Sequence, residues 1–211
     1  MDHDRFSDAI ERIDTANGAD PESEEVDGRP IPKALLYGRR MSACLEDLAP
    51  GASEALRLAV RCQHIQRWKI PRGDFPVGRL GYRQWRTELA WYHAQTAGSI
   101  LRDVGYDDTL VERVQSLVRK ERFKADPEAQ TLEDVACLVF LRYYLPAFAE
   151  KHSEEKLVEI LAKTWKKMSA SGQAAARDID FAPALKSLLD RAIRAGRADR
   201  ADQADRADRS T

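Results

Sequence analysis

The sequence predicts an all-α fold, a single bundle of about eight helices, on three observations. Apolar residues recur at spacings of three and four in nearly every segment. No run of strict apolar and polar alternation bounded by turn residues occurs. Prolines and glycines punctuate the chain at intervals that suit helices of ordinary length.

Taken in order, Phe6, Ile10 and Ile13 mark one face of a first helix that stops near Asn17 and Gly18. An acidic loop follows, with Asp20, Glu22, Glu24, Glu25 and Asp27. After Pro30 and Pro32 a second helix runs from Lys33 to Leu48 and closes at Pro50-Gly51; a third runs from Ser53 to near Trp68. The stretch from Lys69 to Leu80 holds two prolines and two glycines and reads as a loop. A long fourth helix spans Tyr82 to Val104 with Gly105 closing it, and a fifth covers Asp107 to Lys120. Asp126-Pro127-Glu128 opens the sixth, the most apolar of all, which ends at Pro146. Ser153 caps another helix through Met168, and "FAPALKSLLDRAIRA" makes the last. Residues 1–30 are read as a helix and acidic loop packed on a main domain of 31–195. The segment 196–211 repeats Ala-Asp-Arg and is predicted to be a disordered tail, because alanine alone buries too little surface to offset its ordering entropy.

With 211 residues the chain can build one sizeable core. A third of its residues are charged, yet the net charge is −1, so no global field draws it to nucleic acid or to a membrane surface. Cys44, Cys62 and Cys137 sit singly in apolar helical patterns, which argues against disulfides or a zinc knuckle. No membrane span or apolar leader is read, and a cytoplasmic location is the expectation.

Polar residues interrupt this pattern at a few inward positions. Stepping 100° per residue puts Gln63 on the apolar face of the third helix and His64 at its margin. His93 falls in the buried arc of the fourth helix, with Arg86 close by, and Asp134 lies among leucines in the sixth. Each needs a partner, since burying such a group unpaired costs several kcal/mol. Between Arg57 and Arg86 there are also eight bases against one acid, interleaved with Trp68 and Trp85. Guanidinium forks and aromatic faces together suit a phosphorylated or nucleotide-like ligand.

The blocks "LLYGRRM", "RCQHIQRWKIPR", "GYRQWRTELAWYHAQTAGSILRDVGYD" and "DPEAQTLEDVACLVFL" resemble the uncharacterised family DUF4202. More distantly they resemble the HD-domain superfamily of metal-dependent phosphohydrolases, all-α proteins that hold a metal with a His, a His-Asp doublet and a later Asp. That second resemblance implies an HD-like bundle. Gln63 and His64 stand in place of the doublet, Tyr37 in place of the first His, His93 matches a further metal-binding His and Asp134 the final Asp. Tyr37 and Gln63 depart from the ligand types, so the implied metal site is a rebuilt one of His64, His93 and Asp134, with Glu133 or Glu88 as a further candidate donor, suited to Mn, Fe, Ni or Zn.

Two functions follow as expectations. One is an HD-like phosphohydrolase acting on a phosphorylated small molecule or nucleotide, with His64 and Asp134 catalytic and Gln63, Arg67, Trp68, Arg72, Trp85 and Arg86 binding substrate. The other is a catalytically inactive module that holds a nucleotide or RNA through the Arg- and Trp-rich segment. A contact between copies through Trp165 is a third, structural possibility.

Overall fold

The computed structural model describes residues 4–208 as backbone and 4–196 with side chains. The fold is predominantly helical, as the periodicity predicts. It divides into two compact units, one running to Val135 and one from Ala136 on.

In the first unit α1 spans Arg5–Gly18, α2 Lys33–Leu48, α3 Glu54–Cys62, α4 Arg79–Val104 and α5 Asp108–Val118. Helix α6, Pro127–Val139, begins in this unit. Side chains cap the starts where the sequence offers them. Ser53 accepts from the Leu56 amide and Asp107 from the Leu110 amide, each satisfying a donor the helix itself cannot use. Gly105 closes α4 in the left-handed conformation that glycine adopts without strain. Helix α4 packs on α1, α3 and α5, and α3 packs on α1, α2 and α5. The core is built from Ile13, Met41, Leu58, Val60, Leu101 and Leu117, all fully buried. Helices α4 and α5 approach closely at Gly98, where a Cβ would meet the Gln115 amide nitrogen at 2.3 Å. That nitrogen donates to the Ala94 carbonyl at 3.0 Å.

The acidic loop contains a short antiparallel hairpin that alternation did not reveal, β1 (Ser23–Val26) paired with β2 (Arg29–Pro32). Asp27 and Gly28 at its tip both have positive φ, the geometry of a tight two-residue turn. Four-residue strands are too short to show a period, which is why the sequence reads as loop.

In the second unit a π-helical segment, Phe140–Tyr144, leads into α7, Leu145–Ala149, so that Pro146 sits at the start of a short helix where its missing donor is not needed. Then come α8 (Glu154–Lys167), α9 (Ala170–Arg177) and α10 (Pro183–Asp208), with α8 packed on α10. Trp165 is buried, with the Arg177 guanidinium 4.8 Å over its ring. The backbone of α10 continues through most of the Ala-Asp-Arg segment. The side chains from 197 on lie outside the described residues, and with them the disorder expected of that tail. Among the described residues no helix is long and apolar enough to cross a membrane.

Candidate functional site

A cleft of about 400 Å³ in the first unit is lined by Gln63, His64, Arg67, Arg86, Trp91 and His93 together with Arg119, Lys120 and Glu121. Its floor depends on how α3 ends. The expected continuation of that helix to Trp68 does not occur, and Gln63 to Gln66 form a turn. Hydrogen bonds there shorten from four residues back to three: Ile65 donates to the Cys62 carbonyl at 3.0 Å and Arg67 to the His64 carbonyl at 3.2 Å. The Gln66 amide is drawn away to Asn17 Oδ1 at 3.0 Å, and its side-chain oxygen accepts from the Tyr92 hydroxyl at 2.8 Å. Gln66 therefore takes φ of +50°, a left-handed conformation held from two neighbouring helices. Sequence periodicity cannot show this, because the residue that breaks the helix, Asn17, is 49 positions away.

His93 holds the turn from the other side. Its Nδ1 lies 2.7 Å from the Ile65 carbonyl, so Nδ1 carries the hydrogen and Nε2 is a bare lone pair. His64 lies across the turn with its ring 5.8 Å from that of His93, and it stacks on Tyr37 at 4.3 Å and 16°. Burial, reinforced by the Arg67, Arg86 and Lys120 positive charges, holds the His64 imidazolium pKa well below the usual histidine value. Burial also pulls His93 down to about 4, against the help of the Ile65 carbonyl and with the Arg67 and Arg86 charges lowering it further. Both rings are neutral at physiological pH.

The cationic wall has two kinds of member. Arg119 pairs with Glu121 at 2.6 Å and lies 4.9 Å over the exposed Trp91 ring, while Lys120 pairs with Glu133. Arg67 and Arg86 make no ion pair among the described residues. Arg67 is half-buried and packs 4.7 Å over Trp85; burial and the Arg86 charge lower its pKa. Two buried polar atoms also lack partners among the described residues, Gln63 Oε1 and His93 Nε2. Their owners are each 3% exposed.

The sequence thus brings Gln63, His64, Arg67, Arg86 and His93 to one cleft. The other predicted residues do not line this cleft. Trp85 is buried and its indole donates to the Ile70 carbonyl at 2.9 Å. Arg72 donates to the Phe75 and Pro76 carbonyls, both at 2.9 Å, and so folds its own loop, while Trp68 is half-buried beside it in sequence. Two of the eight bases are neutralised: Arg57 by Glu46 at 2.7 Å, and Arg61 by a two-pronged bond to Asp14 at 2.6 and 2.7 Å. Asp134 is buried and accepts from Gln130 at 3.0 Å; it does not line the cleft. Residue-by-residue reading missed Tyr37 as a stacking partner and the Arg119–Lys120 wall. The basic run "RKERFK" after α5 was the available signal for that wall.

Among the described residues no three His, Cys, Asp or Glu side chains gather in a group that could hold a metal ion. The donors lining the cleft are the two imidazoles and Glu121, whose carboxylate is already paired with Arg119, among guanidinium and ammonium groups that repel a divalent cation. Of the predicted trio, His64 and His93 line the cleft and Asp134 does not.

Fold and cleft define a helical protein with a cationic, histidine-floored pocket. Residues 7–189 match the family described as Domain of unknown function (DUF4202), and the chain belongs to that family. No curated protein and no solved structure matches it.

Proposed function

We propose that the cleft binds the phosphate of a phosphorylated small molecule or nucleotide and that the protein hydrolyses the phosphoester there. One observation supports this above the rest: Arg67, half-buried and without a carboxylate partner, stands with Arg86 beside two neutral histidines. A guanidinium fork matches the oxygens of a phosphate, and an anion between Arg67 and Arg86 offsets the repulsion between them. The same anion raises the proton affinity of His64, acting against the positive charges but not against the burial that chiefly lowers it. A dianion beside the ring offsets the positive charges that depress it, so His64 becomes a competent base when substrate is present. It then takes a proton from the water whose oxygen attacks phosphorus; the P–O bond to the organic part breaks, its oxygen leaves as the alcohol by taking that proton back from the His64 imidazolium, and the arginines stabilise the charge spread over the phosphoryl oxygens. Hydrolysis is the reaction class that the distant HD-like resemblance would bring to this cleft. Binding without turnover is the second reading, favoured by Trp91, which is 53% exposed at the rim and offers a flat face for a base.

The test is phosphate release from a panel of sugar phosphates and nucleoside mono-, di- and triphosphates, with EDTA and with added Mn, Fe, Ni or Zn. Turnover should fall at least ~100-fold in His64→Asn, and binding should weaken ~10-fold or more in Arg67→Gln, with circular dichroism unchanged. Equal turnover in His64→Asn and wild type overturns the role of His64. Binding without release leaves the module reading, in which case single-stranded RNA joins the panel and its affinity should fall steeply with salt. Turnover that needs added metal returns the reaction to a metal-centred one.

A further inference from the structure

The cationic wall explains half of a ligand, and the floor describes the other half. His93 Nε2 is an acceptor because the Ile65 carbonyl at 2.7 Å fixes the hydrogen on Nδ1. Gln63 Oε1 is likewise an acceptor, and neither atom has a hydrogen-bond partner among the described residues. Arg67 and Arg86 line the same cleft without reaching them. A phosphate dianion offers only lone pairs, so it satisfies guanidinium groups and leaves these two atoms as they are. A buried acceptor is satisfied by a donor, and a cleft of about 400 Å³ has room for more than a phosphate.

We propose that the ligand is a phosphoester whose organic part carries hydroxyl or amino hydrogens, as in a phosphorylated sugar or a ribonucleotide, and that Gln63 and His93 read those donors. The proposal rests on the phosphate reading above and adds the specificity of the same site. Its logic is the asymmetry of polar recognition. A buried group built to receive a hydrogen bond discriminates strongly against an analogue that lacks the donor, because the mismatched complex leaves the acceptor unpaired. The protein keeps Gln63 and His93 unsatisfied inside, and a donor-bearing ligand completes them. His93 is the firmer of the two, since turning the Gln63 amide would exchange an acceptor for a donor, whereas the His93 tautomer is set by a carbonyl.

The experiment compares two probes of like charge by calorimetry on the full chain: ribose 5-phosphate, which carries hydroxyl donors, and n-butyl phosphate, which carries none on its organic part. Wild type should bind ribose 5-phosphate ~10- to 100-fold more tightly. Gln63→Leu should shrink that ratio ~10-fold by weakening ribose 5-phosphate more than n-butyl phosphate, and its urea midpoint should equal or exceed that of wild type because an orphaned acceptor is gone. Gln63→Met, unbranched and of similar length, serves if the leucine variant does not fold. A purely structural Gln63 would lower the midpoint and leave the ratio alone, which overturns the assignment. Equal affinity of wild type for the two probes overturns the donor requirement while the phosphate reading stands. Binding of neither probe, nor of any phosphorylated compound in the panel, removes both.

Discussion

Arg113 and Arg67 are two arginines of the same unit held in opposite ways. Arg113 at the α5 side of the loop meets two carboxylates: its guanidinium donates to Asp126 at 3.0 Å and to Glu128 at 3.1 Å, with a further short bond to each. Asp126 also accepts from the Glu128 and Ala129 amides at the start of α6. The one positive charge there is met by two negative ones, and the Asp126 carboxyl is held down at about 2, chiefly by Arg113. The same pairing pushes the Arg113 pKa up, chiefly through Asp126. Arg67 has an aromatic face, a like-charged neighbour and no carboxylate, and its pKa moves down. The first arrangement fastens a loop to a helix start. The second leaves positive charge and bare acceptors at a cleft, which stabilises nothing until something arrives. The difference separates charge used for folding from charge kept for a ligand.

Acid should reveal the two regions in separate windows. His93 sits at about 4 in the fold against an ordinary 6.5, so the unfolded chain binds a proton that the folded one refuses. The His93 contribution is complete above pH 6.5 and falls by about 3 kcal/mol as the pH drops to about 4, and His64, held down in the same way, adds to the loss in that window. Urea midpoints across that range check this, and a profile flat from pH 7 to 4.5 would contradict the burial of His93. Next in size is the clamp. Arg113→Met leaves two carboxylates facing each other and should lower stability by about 2 kcal/mol, allowing for the partial exposure of the site. Asp126 adds its own pH window, present above its ordinary 3.8 and lost as the pH falls through about 2. An Arg113→Met protein as stable as wild type would break the contrast. The smallest change is expected at Arg67. Arg67→Gln loses a cation–π contact and gains relief from Arg86, so its stability should stay within about 1 kcal/mol of wild type. In the same variant His93 should titrate higher by NMR, since one of the charges depressing it is gone. A large loss of stability would make Arg67 a structural residue after all.

Much of this was legible in the sequence because helical periodicity reports burial. It put Gln63, His93 and Asp134 on inward faces, and all three are buried. It could not tell which would share a cleft. Asp134 is equally inward, yet its bond to Gln130 is made within its own helix, four residues away. The local excess of bases was also real as composition but mixed in use: Arg57 and Arg61 find carboxylates, Arg72 folds a loop, and Arg67 and Arg86 line the cleft. Partners of that kind, such as Asp14 for Arg61, are remote in sequence and invisible to spacing.

By itself the sequence determined the helical class, most helix starts and the inward placement of the odd polar residues, since these depend on local propensity, capping and period. Only the tertiary structure decided where α3 stops, which nitrogen of His93 carries its hydrogen, and that Arg119 and Lys120 complete the cleft wall. Those outcomes hang on contacts between distant segments, Asn17 with Gln66 and Ile65 with His93 among them, and the free energy of such a contact is written in no single stretch of chain.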